Sequence, residues 1–291
     1  MKICDILQGR RTVSFEFYPP RTEEGLPAVF RAIQRLSAYE PDFVSITYGA
    51  GGSTRERTVD IAVQVHRQSA LTVMCHLTCA GQTREEVHGV LERLAEAGIE
   101  NVIALRGDPP RGESSFVPVE GGFAHATDLM EHIRRHFDFC VAGACYPEGH
   151  PESPDLESDL YYTRKKVEAG ARFLITQLFY DNADFYAFMD RAARAGVQVP
   201  IIPGILPVLS APQVRRFTAL CGAKIPAKLD ALLDKYGEDD RAVREVGVQW
   251  AMEQVRELWD WGVPGVHFYV LNRTYSVSRI LEGLGLRRPR E

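Results

Sequence analysis

Seven short stretches of this chain place an ionisable or hydrogen-bonding residue directly after an apolar run: Glu16, Thr47 with Tyr48, His76 with Thr78, Arg106 with Asp108, Tyr146 with His150, Gln177 with Tyr180, and Asn272 with Arg273. Glu16 stands between Phe15 and Phe17, so in an extended chain it faces away from both. A carboxyl group enclosed by apolar walls has its pKa raised, which suits a general acid near neutral pH. The simpler reading pairs Glu16 with Arg21 or Arg273. Asp108 either pairs with Arg106 or touches a polar heterocycle, and His76 taken alone reads as a satisfied core histidine. Asp159 and Lys166 are two helical turns apart and share a face, which by default is a solvated helix surface.

Two further constellations bear on chemistry. Gly49-x-Gly51-x-x-Thr54 follows an apolar run and opens a helical one, close to the dinucleotide fingerprint. Its third position is Thr, and no acidic residue ends the next strand about 20 residues on, which excludes a Rossmann site. The glycines still make a tight turn whose backbone can approach a flat ligand. His76 with Glu148, His150 and Glu152 could serve a metal-dependent barrel lyase or hydrolase. Their spacing matches no helical zinc motif, and no metal is assigned.

The elements that must hold these residues alternate. Strands are expected over 13–17, 42–47, 71–77, 102–105, 139–144, 173–178, 201–202 and 266–270. Helices are expected over 24–39, from Ser53 or Thr54 to 68, from Thr83 to Gly98, and over 125–136, 156–169, 184–195 and 275–283, with two or three more between 211 and 261. Thr83 and Glu86 have capping-box spacing, and Pro109-Pro110 and Pro203-Gly204 break strands. Eight strand–helix units with short connections predict a parallel sheet closed into a (β/α)8 TIM barrel, one domain over 1–291; an open doubly wound sheet is the alternative. In such a barrel the strand C-termini form one rim, and the seven sets of residues named first lie there.

The 291 residues are 45% hydrophobic and 25% charged, enough for a large core. A net charge of −5 and the lack of a basic patch argue against nucleic acid. The cationic run Arg287-Arg288-Pro289-Arg290 reads as a solvated tail. Residues 1–12 carry no apolar leader, and no apolar run reaches about 18 residues, so no membrane association and a cytoplasmic location are expected. The six cysteines, with no Cys-x-x-Cys, read as reduced structural thiols.

Taken in order, the rim segments resemble those of the methylenetetrahydrofolate reductase family. They are SFEFYPPRT (14–22), FVSITYGAGGSTRERT (43–58), HLTC (76–79), ALRGDPP (104–110), YPEGHPE (146–152), DLYYTRKKVEAGARFLITQLFYD (159–181), VPIIPGILPV (199–208) and HFYVLNRT (267–274). The resemblance implies a barrel that binds FAD at its C-terminal lip without a Rossmann motif. It implies that NADH or NADPH reduces the flavin and leaves, and that 5,10-methylenetetrahydrofolate then binds the same face and is reduced to 5-methyltetrahydrofolate. Glu16 would be the acid that opens the folate to its iminium, and Asp108 would lie near flavin and pterin. Gln177 would contact the pterin, Phe217 and Gln213 the face shared by nicotinamide and folate, and Tyr269, Leu271 and Arg273 the substrate. Thr47, His76, Arg106, Gly107, Asp108, Ala126, Tyr146, His150, Asp159 and Lys166 would hold FAD. His125 stands where some members carry Tyr, and Tyr18 where Phe is common. No C-terminal regulatory domain is expected, and a homo-oligomer is. Two rival readings are the metal-dependent barrel enzyme and a non-catalytic subunit that needs a partner protein to supply electrons.

Overall fold

A strand buried on both faces needs an unbroken apolar run, and the runs identified above become strands. The protein is described by a computed structural model over residues 1–48, 52–109 and 115–286. The glycine turn at 49–51, Pro110 and the cationic run at 287–290 lie outside those residues, as do the side chains of the expected caps Ser53 and Thr54. The strands are β1 (Thr12–Phe17), β2 (Phe43–Ile46), β3 (Val73–Thr78), β4 (Asn101–Leu105), β5 (Cys140–Cys145), β6 (Phe173–Thr176), β7 (Ile201–Ile202), β8 (Gly204–Ile205) and β9 (Gly265–Tyr269). All pairings between these strands are parallel, in the order β7-β6-β5-β4-β3-β2-β1-β9-β8.

The two ends of that list are consecutive in the chain, which is how the ring closes. The expected seventh strand stops at Ile202 and resumes at Gly204, giving nine strand segments among the described residues where eight were expected. The cause is Pro203, which has no N–H for a ladder. Leu174 pairs with Ile201 on one side of it and Gly204 with His267 on the other, while the Pro203 carbonyl accepts from the His267 N–H at 3.0 Å.

The helices are α1 (Ile3–Gly9), α2 (Leu26–Ser37), α3 (Gly52–Gln68), α4 (Arg84–Glu96), α5 (Ala126–His136), α6 (Leu156–Ala169), α7 (Asn182–Arg194), α8 (Ala211–Cys221), α9 (Ala227–Tyr236), α10 (Asp240–Trp261) and α11 (Thr274–Leu284). Apolar stripes of the helices that follow the strands pack on the outside of the barrel; in α2 the buried positions are Val29, Ala32, Ile33 and Leu36. The expected capping box opens α4: Thr83 Oγ1 accepts from the Glu86 N–H at 3.2 Å, and Glu86 Oε2 from the Thr83 N–H at 2.8 Å. Among the described residues no helix is long and apolar enough to cross a membrane.

Helix α1 was not expected, because seven residues with two buried apolar side chains give little periodic signal. Tertiary contact fixes it. Ile3 joins a core cluster inside the strands with Phe43, Met74, Ile103, Phe173 and Ile202, and its N–H donates to Asn101 Oδ1 at 2.7 Å. One end of the barrel is therefore packed with apolar side chains, and its polar inward residues collect at the other.

Candidate active site

At the C-terminal mouth the inward side chains enclose a cavity of about 670 Å³. Glu16 sits at the end of β1, in register with Ser45 on β2 and Tyr269 on β9. Its ion-pair neighbours are histidines rather than Arg21 or Arg273: Oε2 lies 3.3 Å from His76 Nε2 and 3.6 Å from His267 Nε2. His76 lies on β3, two residues before its end, and is buried. Desolvation outweighs the attraction of Glu16 and pulls its pKa down to about 4, so it is neutral at pH 7. His76 Nε2 is buried without a hydrogen-bond partner. Tyr269 donates its hydroxyl to the Thr176 carbonyl at 2.5 Å, and Gln177 follows β6 with its Oε1 accepting from the Leu178 N–H at 2.8 Å.

A second group lies across the mouth. Arg106 forms two hydrogen bonds to Glu152, of 2.5 and 2.7 Å, and its guanidinium lies over the Phe116 ring. The suggested Arg106–Asp108 pair is thereby replaced by a bidentate one that Glu152 supplies from the β5–α6 loop. Asp108 is exposed, lines the cavity, and has no ion-pair partner among the described residues. Gly107 has φ +89°, and a Cβ there would come within 2.9 Å of Ala80 Cβ and 3.1 Å of Thr78 Cβ, so the turn needs glycine.

Beyond this turn, Tyr146 stacks edge-on with His150 at 4.6 Å, and burial raises the Tyr146 hydroxyl and lowers His150. The Asp159–Lys166 pair is not a solvated face. Asp159 is buried, its carboxyl pushed up by burial against the pull of Lys166. Lys166 donates to the Ala144 carbonyl at 2.8 Å, and its ammonium is pushed down by burial against the pull of Asp159. Ala126 opens α5 at the cavity wall, and Thr47 follows β2 there.

Phe217 on α8 and Leu271 after β9 complete the wall. Leu271 and Asn272 have φ of 51° and 56°, a conformation that costs a leucine energy. Asn272 holds the turn: its amide accepts from the Tyr18 N–H at 3.2 Å and donates to the Tyr18 carbonyl at 2.9 Å. Two expected residues lie outside the lining: Gln213, one turn before Phe217 on α8, and Arg273, an exposed residue at the start of α11. The metal-ligand grouping does not assemble either. Glu148 is outside the lining and accepts from the Lys224 N–H at 2.8 Å, and Glu152 is taken by Arg106.

The lining contains residues that the sequence reading left unassigned. Tyr162 lies three residues after Asp159 and four before Lys166, a spacing that puts all three on one helical face and was legible. Tyr48 was noted at the rim, and its hydroxyl donates to Gln82 Oε1 at 2.7 Å. Glu152 was weighed only as a metal ligand, and Thr127 gave no signal.

The sequence profile of the methylenetetrahydrofolate reductase family matches residues 2–285. Methylenetetrahydrofolate reductase (NADH) 1 of Arabidopsis thaliana is 41% identical over 304 residues, covering 98% of this chain and 51% of that protein. The chain thus spans about half the length of its plant relatives. The 5,10-methylenetetrahydrofolate reductase of Escherichia coli K12 is 38% identical over 281 residues, covering 97% of this chain and 93% of that protein. Among solved structures, an uncharacterized protein from Clostridium thermocellum that binds two copies of 5-methyl-5,6,7,8-tetrahydrofolic acid superposes with a TM-score of 0.68 at 15% identity, over 97% of this chain and 99% of that one, a likeness of fold. With the profile spanning nearly every residue and the rim motifs gathered around one cavity, the chain belongs to the methylenetetrahydrofolate reductase family.

Proposed function

We propose that this chain reduces 5,10-methylenetetrahydrofolate to 5-methyltetrahydrofolate, with FAD as bound cofactor and NADH or NADPH as electron donor in a ping-pong cycle. The observation that carries the reading is the placement of Glu16 beside a neutral His76 on one wall of a cavity whose opposite wall holds Lys166 and Asp159. The plant relatives are named for NADH, which makes it the first donor to test.

The residues present fit a flavin. The cavity falls within the range of small-molecule sites. Ile103, Leu105, Ile175 and Leu178 offer apolar contact to a flat ring system. Lys166, Arg106 and His150 offer donors to an anionic tail, and Asp159 an acceptor to a ribose. His76 Nε2 is a buried polar atom without a hydrogen bond, 3.3 Å from Glu16 Oε2 on the cavity wall. Bound flavin would supply hydride chemistry, which no side chain carries.

The chain's own contribution is position and proton. Glu16 gives a proton to the folate nitrogen that leaves the methylene carbon, so that carbon becomes an electrophilic iminium. Gln177 and Tyr269 line the same end of the cavity and orient the pterin. Phe217 would cover the face that nicotinamide and folate occupy in turn, and Asp108 at the rim would offer an acceptor to the bound ring system. Arg273 and Gln213, outside the lining, would reach the ligand only where it extends beyond the cavity.

The test separates the two halves of the cycle. Glu16→Gln should still allow NADH or NADPH to bleach the flavin band, while methylene reduction falls by about 10²–10⁴-fold, the usual contribution of one acid group. Unchanged folate turnover in that variant removes Glu16 from the role. A colourless protein that takes up no added FAD ends the proposal.

A further inference from the structure

We infer that Ser14 and His267 form a buried bracket that positions the carboxyl group of Glu16, an inference that rests on the assignment of Glu16 as the acid. His267 is fully buried on β9, one layer below the cavity. Its Nδ1 lies 2.8 Å from Ser14 Oγ, and its Nε2 lies 3.5 Å from Ser45 Oγ and 3.6 Å from Glu16 Oε2. The ring stacks on Phe43 at 5.8 Å with an interplanar angle of 15°, and Tyr269 meets it edge-on at 5.6 Å. Each atom of the imidazole that can hydrogen-bond is thus turned to a named neighbour, and the ring cannot rotate without losing its stacking.

The strand register explains the placement. Ser14 pairs with His267 and Glu16 with Tyr269 on neighbouring parallel strands. Ser14 lies two residues before Glu16, so both face inward, one layer apart. The layer beneath is apolar, built from Phe43, Met74 and Phe173. A hydroxyl–imidazole pair inside a barrel is a poorer filling than aliphatic side chains, because polar groups lose solvation there. Stability therefore does not account for it, and its contact with Glu16 does. Both imidazoles approach the same carboxyl oxygen, Oε2. Oε1 has no ion-pair neighbour among the described residues and is the oxygen left to meet the substrate. Holding one oxygen fixes the direction of the other, and orientation of this kind carries large rate factors.

The test uses the flavin-loaded full chain with four variants: His267→Leu, His267→Gln, Glu16→Gln and the Glu16→Gln/His267→Leu double. Anaerobic rapid mixing reads NADH-driven flavin reduction and methylene-folate-driven reoxidation separately. His267→Leu should slow the folate step roughly 10- to 100-fold in kcat with KM unchanged, leave the NADH step at its wild-type rate, and hold or raise the thermal midpoint of the flavin-free protein. His267→Gln, which keeps a donor near the Nε2 position, should recover most of that rate. The double variant should lose no more than Glu16→Gln alone, because the bracket acts only through Glu16. If His267→Leu does not fold, Ser14→Ala, which deletes one hydroxyl, carries the same expectation.

A wild-type folate step in His267→Leu, beside a crippled Glu16→Gln, overturns the bracket and leaves the proposed function standing. A further loss in the double variant also overturns it, as does a fall of both half-reactions together with the melting midpoint. Full folate turnover in Glu16→Gln overturns the acid assignment, and the bracket with it.

Discussion

His76 gives the prediction with the most definite magnitude. It is buried on β3, and desolvation brings its pKa to about 4 in the folded chain, against about 6.5 when unfolded. Between those values the unfolded chain binds a proton that the native state refuses. Stability from this group is therefore complete above about pH 6.5 and lost as pH falls toward 4. At about 1.4 kcal/mol per pH unit, the whole window amounts to about 3 kcal/mol, and the part between pH 7 and 5 to about 2 kcal/mol. His76→Gln has nothing to titrate there. Urea unfolding at the two pH values, at matched flavin occupancy, should show the wild type losing about 2 kcal/mol more than the variant. Other groups cancel in the difference, including Asp159 and Glu148, whose raised values give the opposite slope. Because the Glu16 charge opposes the depression, Glu16→Gln should widen the window. Equal pH dependence in wild type and His76→Gln would refute the claim that a neutral, desolvated imidazole lies against Glu16.

Other substitutions probe other walls. Lys166→Met removes an ammonium held to the Ala144 carbonyl; flavin affinity by fluorescence titration should fall about 10- to 100-fold, while the flavin-free protein melts no lower, since a desolvated cation is gone. Unaltered affinity there would show that Lys166 does not face the cofactor. Gly204→Ala would bring a Cβ within 2.5 Å of the Tyr269 hydroxyl and 2.4 Å of the Thr176 carbonyl. Overpacking of this kind costs about 1–3 kcal/mol, and the displaced tyrosine should also raise KM for the folate. A wild-type melting curve together with a wild-type KM would mean that β8 can shift without disturbing Tyr269.

Much of the site was legible because a barrel converts order along the chain into position around a ring. Once strand ends are identified, residues as far apart as Glu16 and Tyr269 fall on one rim, and fifteen of the residues assigned from the sequence line one cavity. Partner choice was less legible. Arg106 had Asp108 two residues away, yet its guanidinium reaches Glu152, because the turn at Gly107 leaves Asp108 exposed at the rim and the β5–α6 loop brings a carboxylate into bidentate reach. The alternative reading set Glu16 against an arginine, yet its neighbours are two histidines from β3 and β9, which are remote in sequence and close only once the ring is shut. Gln213 was assigned through the family resemblance and Arg273 also from its place after a strand, and the helix positions that carry them leave both beyond the lining.

What the sequence determined by itself is the alternation of elements, the parallel sheet and the rim on which chemistry collects, since these follow from local periodicity and from residues that end strands. The tertiary structure alone decided the helix that plugs the opposite mouth, the closure of the ring across Pro203, and the charge state of His76 beside Glu16. Each of these depends on which distant segments exclude water from one another, and no local pattern encodes that.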